Sequence, residues 1–200
     1  MHVLQVPEWP ASLGILLIAA VCGVAPAQVS KTHHRKPAVT KDARVEKLLS
    51  EMTLAEKIAV IHGDKDPPEE SQGQAGYKAG NPRLGIPWLR LADGPPGVLT
   101  RHPSTAPTTT MGLGATFSVE DARLNGVVIG RDASALGINI SLQPFINIMR
   151  DPVWSRAYNL FGEDPLLVGA IGAAQIQGIQ SQGVMAEAKH YMAYNGGNDV

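Results

Sequence analysis

Gly183-Val184-Met185-Ala186-Glu187-Ala188-Lys189-His190 is an apolar run of strand length that stops on a cation and an imidazole. A short buried strand with that ending sets polar chemistry at the mouth of a sheet. In parallel α/β folds, ligands bind at the carboxyl ends of the strands. The same event occurs twice earlier in the chain. Trp88-Leu89-Arg90-Leu91-Ala92 ends on Asp93-Gly94-Pro95, and Ile138-Asn139-Ile140-Ser141-Leu142 leads to Arg150-Asp151-Pro152 and then Arg156. Strand ends that carry Asp, Arg, Lys and His point to one polar pocket gripping a hydroxyl-rich, uncharged ligand. Hydroxyls both donate and accept, so such a pocket needs an acceptor-only carboxylate beside donor-only Lys and Arg. These groups also compensate one another's charge, so none is buried alone.

The segments between the strands read as helices. Ser118-Val119-Glu120-Asp121 has the form of a helix start, the apolar positions Val119, Ala122, Val127, Ile129, Ala133 and Leu136 follow, and Gly137 ends the helix. Pro165 occupies the first turn of a further helix over Leu166 to Gln182, closed by Gly183. Near the start, Asp42 caps a helix carrying Val45, Leu48, Leu49 and Met52. Thr53-Leu54-Ala55-Glu56 is a capping box that opens a second helix with Leu54, Ile58 and Ile61 on one face, stopped at Gly63. Asp64 to Pro82 reads as loop, and Thr108 to Met111 as a short strand. Strand, helix, strand, helix, strand predicts an α/β fold with parallel strands. Single glycines lead from helix to strand, and long decorated loops lie at the opposite end, which favours a (β/α)8 TIM-type barrel. An open doubly wound sheet is the runner-up. No Gly-x-Gly-x-x-Gly follows a strand, so dinucleotide binding has no support.

Two hundred residues with 44% hydrophobic and 18% charged side chains are enough for one domain with a core. A formal net charge of -1 gives no electrostatic case for nucleic acid or an anionic membrane surface. Leu13 to Val24 is almost wholly apolar, too short to span a bilayer comfortably, and is followed by Ala25-Pro26-Ala27. Residues 1–27 are therefore expected to be a signal peptide cleaved after Ala27, with an uncleaved anchor as the alternative. The mature chain would then be exported, periplasmic or extracellular, without cysteine and without stable membrane association. Residues 28–41, which include His33-His34, read as a flexible polar leader, and residues 42–200 as the folded domain. No metal or organic cofactor is implied.

Leu84-Gly85-Ile86-Pro87, Asp93-Gly94-Pro95-Pro96-Gly97, Arg150-Asp151-Pro152-Val153-Trp154-Ser155-Arg156, Gly162-Glu163-Asp164-Pro165 and Lys189-His190-Tyr191 occur in this order. From about Arg44 to the end, the chain resembles the first domain of glycoside hydrolase family 3. The resemblance implies the N-terminal portion of a (β/α)8-type barrel, often imperfect. It also implies a retaining hydrolase that releases non-reducing terminal β-linked sugars from an oligosaccharide or β-glycoside. Two carboxyl groups roughly 5 Å apart do that work, one as nucleophile and one as acid/base. By the same resemblance Asp93 accepts from sugar hydroxyls, and Arg156, Lys189 and His190 donate to others. A strained or cis peptide near His190 is implied too. The nucleophile and acid/base are expected beyond Val200, so none of these residues is assigned as catalytic. The 200 residues alone are then expected to be an incomplete, inactive barrel.

Other readings of single residues stay open. Asp93 before Gly-Pro also suits a plain turn, Arg156 a salt bridge to Glu163 or Asp164, and Lys189-His190 a solvated strand end, while Arg150 reads as structural. The chain departs from the family pattern at Asn159, where Glu is usual, and at Asn195-Gly196-Gly197-Asn198, where many members have Asn-x-Gln-Glu. The Pro-Gly-His-Gly-Asp of the N-acetylglucosamine branch is replaced by Met192-Ala193-Tyr194-Asn195-Gly196. This moves the reading towards a β-glucosidase or β-xylosidase type. The rivals are a non-catalytic or degenerate sugar-binding homologue and an exported structural or partner-binding protein.

Overall fold

The computed structural model of the chain describes residues 42–191 and Tyr194. The expected signal peptide, the leader with His33-His34 and the Asn195-Gly196-Gly197-Asn198 segment lie outside the described residues. In chain order the elements are α1 (Ala43–Glu51), α2 (Leu54–Val60), β1 (Gly76–Lys78), β2 (Leu89–Asp93), α3 (Thr110–Gly114), α4 (Val119–Ala135), β3 (Ile140–Leu142), α5 (Pro165–Gln180) and β4 (Met185–Ala186). Single 3-10 turns lie at Pro68–Glu70, Pro82–Leu84 and Ala157–Asn159.

The strands form one sheet in the order β1-β2-β3-β4. β2, β3 and β4 are parallel, with Leu91, Ile140 and Met185 in register, while β1 runs antiparallel along β2. Each parallel step passes through a long helix, as the sequence predicts. The local chemistry fixes the helix ends. The Ser118 hydroxyl accepts from the Asp121 amide at 3.1 Å. The Asp164 carboxylate accepts from the Leu166 and Leu167 amides at 3.1 Å each, ahead of Pro165. Gly137 and Gly183 turn the chain out of α4 and towards β4 with φ of 68° and 77°.

α4 and α5 pack against each other and against one face of the sheet. Their approach is too close for side chains at two places. A Cβ on Gly126 would lie 2.2 Å from the Gln175 carbonyl oxygen, and one on Gly178 would lie 2.1 Å from that of Arg123. Beside this contact the Gln175 amide donates to Asn125 Oδ1 at 2.7 Å, so the buried polar pair satisfies itself. The core between helices and sheet holds Ala92, Ile129, Ala133, Ile138, Ile179 and Val184. Each fully buried Ile or Val there contributes about 1.5–3 kcal/mol. A second cluster, including Leu113, Phe161 and Ile171, joins α3 to α4 and α5.

Three expectations are corrected. Asp64 to Pro82 is not all loop: Gly76–Lys78 pairs with β2, with Tyr77 buried between half-buried neighbours. Three residues are too few to show a period of two. Thr108 to Met111 is no strand. Thr109 instead caps α3, its hydroxyl accepting from the Gly112 amide at 3.2 Å, so the cap overrides the β preference of the threonines. The Gly183–Ala188 run is not uniformly buried. Strand pairing is confined to Met185–Ala186, and Met185 is 48% exposed while Val184 is buried. The α1 and α2 caps form as read, the capping box included, yet neither helix buries a side chain.

Candidate functional site

The sheet delivers its polar residues at the carboxyl ends of its parallel strands. Asp93 is the last residue of β2. Beyond β3 and β4 the pairing continues as a single parallel bridge between Phe145 and Lys189. Here the Lys189 amide donates to the Pro144 carbonyl at 2.9 Å, and the Ile146 amide to the Lys189 carbonyl at 2.7 Å. The Lys189 ammonium then reaches across the sheet end and donates to Asp93 Oδ1 at 2.6 Å. The Lys189 side chain is mostly covered (13% exposed), whereas Asp93 remains open to a ligand (47% exposed). The two charges compensate each other, which makes their placement at a half-covered sheet end tolerable. The Lys189–His190 peptide is cis, in line with the expectation for this point.

The loop that follows Asp93 is held from below. Buried Gln143 donates from its amide nitrogen to the Gly97 carbonyl and to the Ser141 hydroxyl, each at 2.9 Å. Gly97 has φ of 68°, and a Cβ there would meet the Thr105 carbonyl oxygen. The Leu99 amide returns to the Asp93 carbonyl at 2.9 Å, closing the turn on β2.

Arg156 arrives on the loop between β3 and α5. The Asp151 carboxylate accepts from the Val153 amide at 2.9 Å, a local turn that the Asp-Pro pair favours. Trp154 and Leu160 bury themselves against Phe145 and fasten the loop to the sheet. The Arg156 guanidinium lies 5.2 Å from the Phe145 ring centre and 5.8 Å from that of Tyr194. The Lys189 ammonium lies 4.5 Å from the same Phe145 ring. One buried aromatic ring thus gathers both cations within cation–π range. Among the described residues no ion pair joins Arg156 to Glu163 or Asp164. Asp164 is spent capping α5, and the Arg156 Nε contact goes to Asn159 Oδ1 at 3.4 Å.

His190 completes the group. Its ring centre is 5.1 Å from that of Phe145 and 4.7 Å from that of Tyr194, which in turn meets Trp154 edge-on at 5.4 Å. Burial, with Lys189 and Arg156 nearby, holds the imidazole below its ordinary titration range, against the opposing pull of Asp93 and Glu187. The ring is therefore neutral near pH 7. Arg156, Lys189 and His190 are thus brought together around Phe145, and Asp93 joins them through Lys189, although the four are spread from position 93 to position 190. Arg150 is exposed, and exposed Glu187 donates its amide to the Ser141 carbonyl.

Sequence reasoning missed Phe145, Asn147, Gln143 and Tyr194. Asn147 is buried, and its Oδ1 accepts from both the amide and Nδ1 of His190, at 3.0 and 3.1 Å. The signal available was an amide placed among apolar residues in Phe145-Ile146-Asn147-Ile148. A polar group in such a run needs a partner from elsewhere in the fold.

Known proteins share this architecture. Beta-glucosidase A of Aspergillus kawachii is 39% identical over 148 residues, covering 74% of this chain and 17% of the relative. The crystal structure of DesR, a beta-glucosidase from Streptomyces venezuelae in complex with D-glucose, matches with a TM-score of 0.74 and 42% identity, over 79% of this chain and 20% of that one. Beta-glucosidase 3B from Thermotoga neapolitana, in complex with alpha-D-glucose, matches with a TM-score of 0.70 and 32% identity, over 76% of this chain and 23% of that one. The chain therefore spans roughly a fifth of the length of these relatives. The sheet and its two crossover helices are the N-terminal part of a TIM-type barrel. The family model for the glycosyl hydrolase family 3 N terminal domain matches residues 28–200, and the chain belongs to that family.

Proposed function

We propose that this chain supplies the terminal-sugar subsite of a retaining, β-glucosidase-like or β-xylosidase-like glycoside hydrolase. The observation that carries the reading is the Lys189–Asp93 pair, with Arg156 and His190 drawn around the same Phe145 ring. A carboxylate acceptor open to solvent, flanked by two cationic donors, matches the hydroxyl pattern of a pyranose ring. Tyr194, which remains partly exposed beside His190, adds apolar surface at the same place. In this reading Asp93 accepts from sugar hydroxyls while Lys189 and Arg156 donate. Bonds of this type that tighten as oxocarbenium character develops raise the rate as well as the affinity. The nucleophile and acid/base are assigned to no residue described here, so the 200-residue chain is expected to bind a monosaccharide without turning over an aryl β-glucoside. The apolar Leu13 to Val24 run followed by Ala25-Pro26-Ala27 supports export to the periplasm or the medium. No helix among the described residues is long and apolar enough to cross a membrane.

A non-catalytic sugar binder is the second reading. Asn159 favours it, since a buried neutral amide faces Arg156 where family members usually offer a carboxylate. A longer form of the protein with an Asp on the matching later barrel strand would support the enzyme, and a longer form without it the binder.

Ligand-observed NMR on the 200-residue chain with D-glucose and D-xylose tests the subsite. Asp93→Asn or Lys189→Met removes charge-assisted hydrogen bonds worth about 1.5–3 kcal/mol, weakening binding roughly 10- to 150-fold. Equal responses from the parent and both variants, or no response from the parent, would overturn the proposal.

A further inference from the structure

We infer that Asn147 is a positioning residue that holds His190 in the neutral tautomer with its proton on Nδ1, so that the site presents Nε2 as a hydrogen-bond acceptor. The inference deepens the sugar-site reading. It also reverses one detail of the sequence-based expectation, in which His190 served as a donor.

Three hydrogen bonds fix the direction of the Asn147 amide. Its nitrogen donates to the Tyr194 carbonyl at 3.0 Å, which only the NH2 end can do. The other end is therefore the oxygen, and it faces His190. Oδ1 accepts from the His190 backbone amide at 3.0 Å and lies 3.1 Å from Nδ1. A carbonyl oxygen has no proton to offer, so Nδ1 must be the donor of that contact. In a neutral imidazole one nitrogen carries the proton and the other a lone pair. The proton on Nδ1 leaves the lone pair on Nε2. The charged groups around the ring, Lys189 and Arg156 against Asp93 and Glu187, work on balance with burial to keep it neutral.

The chemical consequence is specific. With Lys189 and Arg156 as fixed donors, the site holds a second acceptor besides Asp93. A ligand hydroxyl can then donate to Nε2 while accepting from a neighbouring cation. A deoxy or O-methyl sugar that cannot donate at that hydroxyl is discriminated against, because the acceptor would be left unpaired.

Long-range 15N–1H spectra of the histidine rings in the 200-residue chain, with the His190 signals assigned by loss in His190→Gln, read the tautomer directly. At neutral pH the parent should show a protonated, pyrrole-type Nδ1 and a pyridine-type Nε2. Asn147→Asp keeps an acceptor at Nδ1 and adds a charge, so the Nδ1–H form should persist and the titration midpoint of His190 should rise by about 1–3 pH units. Asn147→Leu should move the ring towards the Nε2–H form. Should that variant not fold, the parent and Asn147→Asp spectra decide the matter. A pyridine-type Nδ1 in the parent, or an unmoved midpoint in Asn147→Asp, would overturn the inference. Adding D-glucose separates this result from the broader reading. An Nδ1–H ring whose Nε2 signal shifts with sugar supports both, while an Nδ1–H ring indifferent to sugar supports the Asn147 role and overturns the sugar subsite.

Discussion

His190 couples the site to pH. Its midpoint in the folded chain lies below the ordinary value of about 6.5, because burial and two neighbouring cations disfavour the imidazolium. The unfolded chain lacks those effects and binds its proton at higher pH. Between the unfolded and folded midpoints the unfolded state therefore holds more protons, and stability drops as pH falls through that window, levelling off below the folded midpoint. Urea unfolding from about pH 7.5 to about pH 5 should show this slope, and it should be shallower in His190→Gln. Identical slopes in the two proteins would sink the assignment. Asp93, Lys189 and His190 were legible in the sequence because they follow directly on an apolar run, so a polar cost shows locally, while Arg156, on a loop beyond its strand, was reached through the motif that carries the family resemblance. Asn147 and Phe145 were not legible. Asn147 finds His190 only across 43 positions of chain, and Phe145 reads as one more apolar residue until both cations are seen over its ring.

Helix starts were the most legible elements, since a cap is chemistry between residues two or three positions apart. Asp42, Thr53 and Ser118 all accept amides of the first turn they were read to cap. β1 was illegible because three residues carry no pattern of their own, and its existence depends on β2 lying alongside. The α4–α5 seam was illegible for a different reason. Gly126 and Gly178 look like weak points in a helix, where alanine would be preferred by about 1 kcal/mol. In the fold they let backbones approach to distances that exclude a methyl group. Gly126→Ala should therefore destabilise rather than stabilise, since the clash is with a backbone carbonyl that cannot swing away. Overpacking of this kind costs about 1–3 kcal/mol, more than the propensity gained. A raised thermal midpoint in Gly126→Ala would show that the seam is looser than described.

Among the described residues the sheet has a covered face and an open face. α4 and α5 shield one face of the sheet, while the Leu91, Ile140 and Met185 row stands on the other, with Met185 half exposed. α2 and its C-terminal cap add Leu54, Ile58 and Ile61, all more than half exposed. Exposed apolar surface of this kind drives association. Sedimentation velocity on the 200-residue chain should show mass rising with concentration, and Ile58→Lys with Ile61→Lys should reduce the rise. An unchanged profile would place the sticky surface elsewhere. The α/β class could be read from alternation alone, whereas the extent of bare apolar face could not, because amphipathic helices show which side seeks cover and not whether cover is present.

The chain of rings from Trp154 through Tyr194 to His190 has an optical corollary. An indole two rings away from a titrating imidazole feels every change of its charge as an altered electric field. With Trp9 and Trp88 replaced, ultraviolet emission from Trp154 is then a gauge of the protonation of His190 that needs no attached dye.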